Sequence, residues 1–218
     1  MKPTVILITG YARSGKDTFS DALERNCIKA VAKGIAVTGR TAFGDTLKDA
    51  ANGFLDELGL HDHAYRRVAT EQGVAYEGPF FHDEEFKKRW RSVLVELGTM
   101  ARAIDRDVFV RKTATDVFEA LTDPAFDNLA NLEIVTDCRY LNELMYFKDR
   151  MGKSIRVITV RVHTADVDPA NEEEAMSIAE IQREVCFDAE FYWRLGDLEQ
   201  IDRSARHLLE GIGFPLNG

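Results

Sequence analysis

With 218 residues, 45% of them apolar and 30% charged, the chain is long enough to bury a core without disulfide or metal staples and too apolar to be disordered. Its 37 acidic residues outnumber 28 basic ones, and the net charge of −9 argues against sequence-independent nucleic-acid binding. No stretch approaches the roughly 18 apolar residues of a membrane span, and Cys27, Cys138 and Cys186, odd in number and far apart, read as buried thiols in a reducing compartment.

The apolar run after Pro3 stops at Thr9-Gly10, where Arg13, Lys16 and Asp17 follow at once. That is too short for a signal-peptide core, so a cytoplasmic location is expected. Val5-Ile6-Leu7-Ile8 predicts a strand buried on both faces of a parallel sheet. Phe19, Ala22, Leu23, Cys27, Ala30 and Val31 recur at helical spacing, and Gly34 ends that helix. A weaker strand is expected over 35–43 and a helix over 46–58. Residues 60–82 carry no regular pattern.

Trp90, Val93, Leu94, Leu97, Ala101 and Ile104 form one apolar stripe, which predicts a single helix from Asp83 to Ile104. Another helix follows Asp107 with Val110, Ala114, Val117, Phe118 and Leu121. Leu132 to Thr136 reads as a strand ending in Asp137, 142–151 as a short helix closed by Gly152, and 155–162 as a β-branched strand. An acidic stretch, 166–184, precedes a last strand over 191–195 and a terminal helix over 198–209. Strands alternating with helices predict parallel βαβ units in an α/β sandwich. There is no repeat and no Pro/Gly/Ser-rich linker, so one domain spanning 1–218 is expected.

The strongest chemical signal is Gly10-Tyr11-Ala12-Arg13-Ser14-Gly15-Lys16-Asp17-Thr18, a G-x-x-x-x-G-K match between a predicted strand and a predicted helix. Glycines at both ends let such a loop wrap an anion, and its backbone N–H groups and the helix N-terminus attract phosphate. Lys16 then reaches the outer phosphates. Asp17 replaces the usual Ser or Thr; its carboxylate suits Mg²⁺, directly or through water, while the Thr18 hydroxyl suits an inner phosphate.

Other segments narrow the chemistry. Asp137, at the end of an apolar strand, suits a Mg²⁺ shell or, taken alone, a helix cap. Arg139 beside it suits a forked grip on phosphate. Arg91, Gly98 and Arg102 fall at i, i+7 and i+11 on one helical line. They read equally well as a substrate-facing pair of guanidiniums across a bare glycine or as a solvated basic face. Asp45 and Lys48 suit a ribose, base or phosphate, or a cap and a surface lysine. His61 and His63 have too few partners for a metal site. Residues 171–174 read as a solvated helix start.

Four segments together resemble the phage deoxynucleoside monophosphate kinase family, a branch of the P-loop nucleoside monophosphate kinases: GYARSGKDT at 10–18, AFGDTLKD at 42–49, RSVLVELGTMAR at 91–102 with IDRDVFV after it, and TDCRYLNE at 136–143. The resemblance implies a three-layer fold with a parallel, about five-stranded sheet, helices on both faces, a monophosphate-binding insertion over about 44–106 and a lid. It implies transfer of the γ-phosphoryl of ATP to a deoxynucleoside monophosphate with Mg²⁺, and suggests a homodimer. By position, Gly10, Arg13, Ser14, Gly15, Lys16, Asp17 and Thr18 become nucleotide-site residues. Arg102 and Arg139 become phosphate-contacting, catalytic arginines alongside Lys16. Asp45, Lys48 and Arg91 join the substrate site, and Asp17 and Asp137 the metal site. Past Val162 the sequence departs from the family pattern.

Phosphoryl transfer needs positioning and charge neutralisation, and a monophosphate acceptor is already ionised, so no general base is demanded. Water must be excluded, and 60–82 or 163–184 are the candidate lids. Two rivals stay open: a P-loop kinase for another small phosphorylated acceptor, of the dephospho-coenzyme A or phosphomevalonate type, and a nucleotide-dependent switch. No Asn-Lys-x-Asp segment reads guanine, which disfavours a GTPase.

Overall fold

The computed structural model describes residues 2–59 and 80–216. His61, His63 and most of the 60–82 lid candidate lie outside the described residues. The chain divides into two compact units, one of Met1–Ala42 with Thr113–Gly218 and one of Phe43–Lys112. The sequence shows no linker because the smaller unit is inserted by short turns, and its exit falls inside a helix.

The larger unit is a three-layer α/β sandwich. Its five-stranded sheet is parallel throughout, in the order β2-β3-β1-β4-β5. The strands are β1 (Thr4–Thr9), β2 (Ala36–Thr41), β3 (Ala130–Cys138), β4 (Arg156–Thr164) and β5 (Ala189–Trp193). Every residue of β1 is buried, as a central strand covered on both faces requires. Ile6 and Ile8 face a core shared with Phe19, Leu23 and Cys27 of α1 (Lys16–Ala32) and with Ile201, Ala205 and Leu209 of α8 (Leu198–Gly211). On the other face α6 (Leu141–Met151) packs on β4 and beside α7 (Glu172–Glu184). The chain leaves β1 toward β2 on one side and reaches β4 on the other. Such a reversal opens a crevice at the carboxyl ends of the strands.

Local signals explain the helix ends. Gly34 adopts φ 65°, and Ile35 N–H donates to Ala30 O just past α1. Asn171 caps α7 by accepting from Glu174 N–H. Val31 and Phe118 lie on predicted apolar stripes but are exposed, and Cys186 is an exposed thiol, unlike buried Cys27 and Cys138.

The smaller unit holds α2 (Phe43–Glu57), a 3₁₀ turn (Phe80–His82), α3 (Glu84–Arg89), α4 (Arg91–Ile104) and the first turn of α5 (Val108–Leu121). Its core is aromatic: Phe80 stacks on Phe86 at 4.9 Å and Phe81 meets Phe86 edge-on at 5.2 Å, with Ala51 and Leu94 around them. Asn52 accepts from Phe81 N–H. The single helix expected over 83–104 is two helices broken at Trp90 (φ −107°). Of its apolar stripe only Leu94 is buried; Trp90, Val93 and Ile104 are exposed.

Among the described residues, no helix is long and apolar enough to cross a membrane.

Candidate functional site

The loop from Gly10 to Gly15 links β1 to α1, and both glycines are forced by geometry. Gly10 has φ 154°; a Cβ there would run into the Val162 carbonyl and lie 2.7 Å from Ser14 Oγ. Gly15 has φ 84°, and its Cβ would sit 3.1 Å from Trp193 Nε1. Arg13 takes the same left-handed region at φ 64°, a strained conformation for a residue with a side chain. Ser14 O accepts from Thr164 Oγ1 (2.8 Å) and Trp193 Nε1 (3.3 Å), so the ends of β4 and β5 pin the loop. Among the described residues, the buried Ser14 hydroxyl has no hydrogen-bond partner.

Lys16 is buried and turned back on the loop, donating to Gly10 O (2.8 Å) and Tyr11 O (2.6 Å). Burial, and next the Arg139 guanidinium, hold its pKa below the usual lysine value; Glu174, Asp17 and Asp137 pull the other way. These four charges are therefore the ones that Lys16 feels. Asp137 is the penultimate residue of β3, the strand paired with β1, and Arg139 lies two residues on with an exposed side chain.

Two neighbours escaped the sequence reading. Glu143 is buried on α6, and one of its oxygens accepts both Arg139 N–H (2.6 Å) and Tyr140 N–H (3.0 Å). Burial pushes its pKa up to about 8 against the pull of those N–H groups. Its position three residues into a helix after a loop was the available signal. Glu174 accepts Ala12 N–H at 2.9 Å, so residues 171–174 are not merely a solvated helix start. Beside it Glu173 accepts from Tyr140 OH (2.9 Å), and Ser177 Oγ donates to Arg139 O.

Asp17 does not point at an open metal site. Arg40 on β2 forks between Asp17 (3.0 Å) and Asp21 (2.5 Å), with Glu24 at 3.7 Å. Among the described residues no group of three or more His, Cys, Asp or Glu side chains is placed to hold a metal. The residues present fit a Mg²⁺ that arrives on a polyphosphate, because such an ion keeps several waters and needs few protein ligands.

A cleft of about 390 Å³ opens on the α1 and α8 side of the loop. Arg13, Gly15 to Thr18 and Thr164 form one wall, and Trp193, Leu195, Gly196, Leu198 and Ile201 the other. A loop of backbone N–H groups at a helix N-terminus on one side and apolar side chains on the other suit a nucleotide, with polar tail and flat base.

No family model matches the chain, and no curated protein does.

In the smaller unit Lys48 pairs with Asp45 at 2.6 Å along α2. The bare line at Gly98 is filled from inside: a Cβ there would lie 3.1 Å from Leu47 Cδ2 and 3.4 Å from the Arg102 guanidinium. Arg102 also lies 5.8 Å over the Phe109 ring. It folds over Gly98 rather than leaving a gap, while Arg91 is exposed.

Proposed function

We propose that the chain is an ATP-dependent deoxynucleoside monophosphate kinase, converting ATP and a dNMP to ADP and a dNDP. One observation carries the phosphotransferase reading: Lys16, in a pinned loop with a nucleotide-sized cleft beside it, feels Asp137 and Arg139 at the carboxyl end of the adjacent strand. That set supplies the ammonium, carboxylate and guanidinium that transfer between two polyanions demands. The four-segment sequence combination supports the choice of acceptor.

In this reading the cleft takes the ATP base and ribose, and the N–H groups of Gly15 to Thr18 take the inner phosphates. On binding, Lys16 exchanges its two carbonyl partners for phosphate oxygens. Asp137, and Asp17 once released by Arg40, would orient the waters of a Mg²⁺ brought by ATP, which would supply charge neutralisation there. Arg139 grips the phosphoryl in transfer. The acceptor role falls to the smaller unit, through Asp45, Lys48, Arg91 and Arg102. The setting is the cytoplasm, of a host cell for a phage-encoded enzyme, and the assembly a homodimer.

The test is ADP release, coupled to a reporter, across deoxy- and ribonucleoside monophosphates, dephospho-coenzyme A and phosphomevalonate. Turnover that depends on a dNMP supports the assignment. Turnover with only another acceptor moves it to a different kinase, and slow acceptor-independent hydrolysis moves it to a switch.

A further inference from the structure

Glu174 reaches a residue 162 positions away in sequence: one carboxylate oxygen accepts Ala12 N–H in the loop, and the other accepts Ala170 N–H at 2.7 Å. A carboxylate on a phosphate-loop amide makes the contact that a phosphate oxygen would make. Its place along the loop matters. The cleft that suits the nucleoside is lined by Arg13 and by Gly15 to Thr18, and Ala12 is not among its walls. A phosphate chain leaving that cleft therefore meets the start of α1 first and Ala12 last. A diphosphate leaves Glu174 in place, whereas the outermost phosphate of a triphosphate competes with it for one N–H, carrying like charge.

We propose that Glu174 is an internal stand-in for the terminal phosphate, so that α7 senses whether the loop holds a tri- or a diphosphate. The proposal rests on the nucleotide reading above and adds its regulation. The signal has a route. Glu173 bonds Tyr140 and Ser177 bonds the Arg139 carbonyl, so a shift of α7 that frees Ala12 also acts on the backbone that carries Arg139. With a triphosphate, α7 undocks and releases Arg139 toward the transferring group. After transfer the diphosphate lets Glu174 return, which favours product release.

The test uses the full chain with Trp90→Phe, leaving Trp193, whose indole bonds Ser14 O, as the fluorescent reporter. The parent, Glu174→Ala and Glu172→Ala are titrated with β,γ-methylene ATP and with ADP. Glu172→Ala removes the same charge from an exposed position of the same helix. Removing one charged competitor tightens the triphosphate analogue about tenfold in Glu174→Ala, with ADP changed less than about twofold and Glu172→Ala like the parent. Glu174→Gln, which keeps an acceptor for both N–H groups, gives a smaller gain with the same selectivity and covers a folding defect in the alanine variant. Amide exchange in α7 of the parent rises with the triphosphate analogue and not with ADP. Equal gains for both nucleotides, no gain, or a loss overturn the proposal while leaving the nucleotide site standing. If the parent binds neither nucleotide, the nucleotide reading falls and the sensor with it.

Discussion

The indole of Trp193 fills the space beside Gly15, with Nε1 3.1 Å from where a Cβ would stand and its N–H on the Ser14 carbonyl. The Gly10–Gly15 loop is thus shaped from outside itself, by the end of β5. Gly15→Ala meets both this ring and a left-handed backbone (φ 84°), costing roughly 1–3 kcal/mol of stability. It also displaces the loop, so in the proposed enzyme ATP affinity is expected to fall as well. Trp193→Phe keeps most of the ring and loses one hydrogen bond, so its effect is milder in both assays. Thermal melts and nucleotide titrations of the two variants check the order.

Lys16 supports the proposed chemistry at a cost to folding. Lys16→Met is expected to lower kcat by on the order of a hundredfold or more, as for loss of a principal transition-state charge. Its stability signature has an unusual sign. The folded-state pKa is depressed, so between that value and 10.5 the unfolded chain binds more protons and stability rises with pH. An ion-paired lysine does the reverse. Urea melts across the alkaline range show this slope in the parent and a flatter one in Lys16→Met.

Arg40 and Mg²⁺ compete for Asp17 in the proposed enzyme. Arg40→Gln releases the carboxylate and lowers the Mg²⁺ concentration for half-maximal rate, whereas Asp17→Asn raises it. Asp17 is largely exposed, so losing its ion pair changes stability by less than about 1 kcal/mol. Metal titrations of the rate, with a melt as control, separate the two effects. No change in either variant would leave the ion to ATP, Asp137 and water.

The parts of this molecule legible in sequence are those set by near neighbours. Val5 to Ile8 declare a two-faced strand by composition, and the spacing of Gly10, Gly15 and Lys16 declares the loop. The break at Trp90 was not legible, since no proline or glycine marks it and Phe86, packed between Phe80 and Phe81, fixes α3 from outside the helix. Arg40 meets Asp17 only because β2 lies beside α1, and Glu174 meets Ala12 only after β4 and α7 are placed. Such pairs exist in the fold and in no window of sequence. At Gly98 a helical projection left a substrate-facing gap and a solvated face equally open, and only the fold brings Leu47 and Arg102 over the glycine.

Glu143 predicts a pH effect of defined sign. Its pKa rises from 4.5 to about 8 on folding, so in that window the folded chain binds more protons and stability falls as pH rises. Glu143→Gln removes the titration, flattens the slope and retains an oxygen for the N–H groups of Arg139 and Tyr140. Glu143→Ala leaves two buried donors unpaired, costs about 1–3 kcal/mol and loosens Arg139. Urea melts from pH 5 to 9 and acceptor kcat/KM distinguish the pair. Equal slopes in parent and Gln variant would refute the assignment.

In the proposed enzyme Arg139 contacts the transferring phosphoryl and Arg102 the acceptor, and lysine at either position keeps charge but loses the planar fork. Arg139→Lys acts on the transferring group and is expected to lower kcat roughly tenfold or more with little change in ATP affinity. Arg102→Lys acts on the acceptor and raises its KM by a similar factor. Gly98→Ala serves as the control beside that arginine. Alanine within α4 gains about 1 kcal/mol of helix propensity, while its methyl crowds Leu47 Cδ2 at 3.1 Å and stands in ordinary contact with the Arg102 guanidinium at 3.4 Å. The variant should therefore keep the parent's acceptor KM and differ little from it in stability. Separate titrations of ATP and of each monophosphate decide the matter. Equal losses for both ligands would mark a general defect, and an unchanged acceptor KM in Arg102→Lys would remove Arg102 from the site.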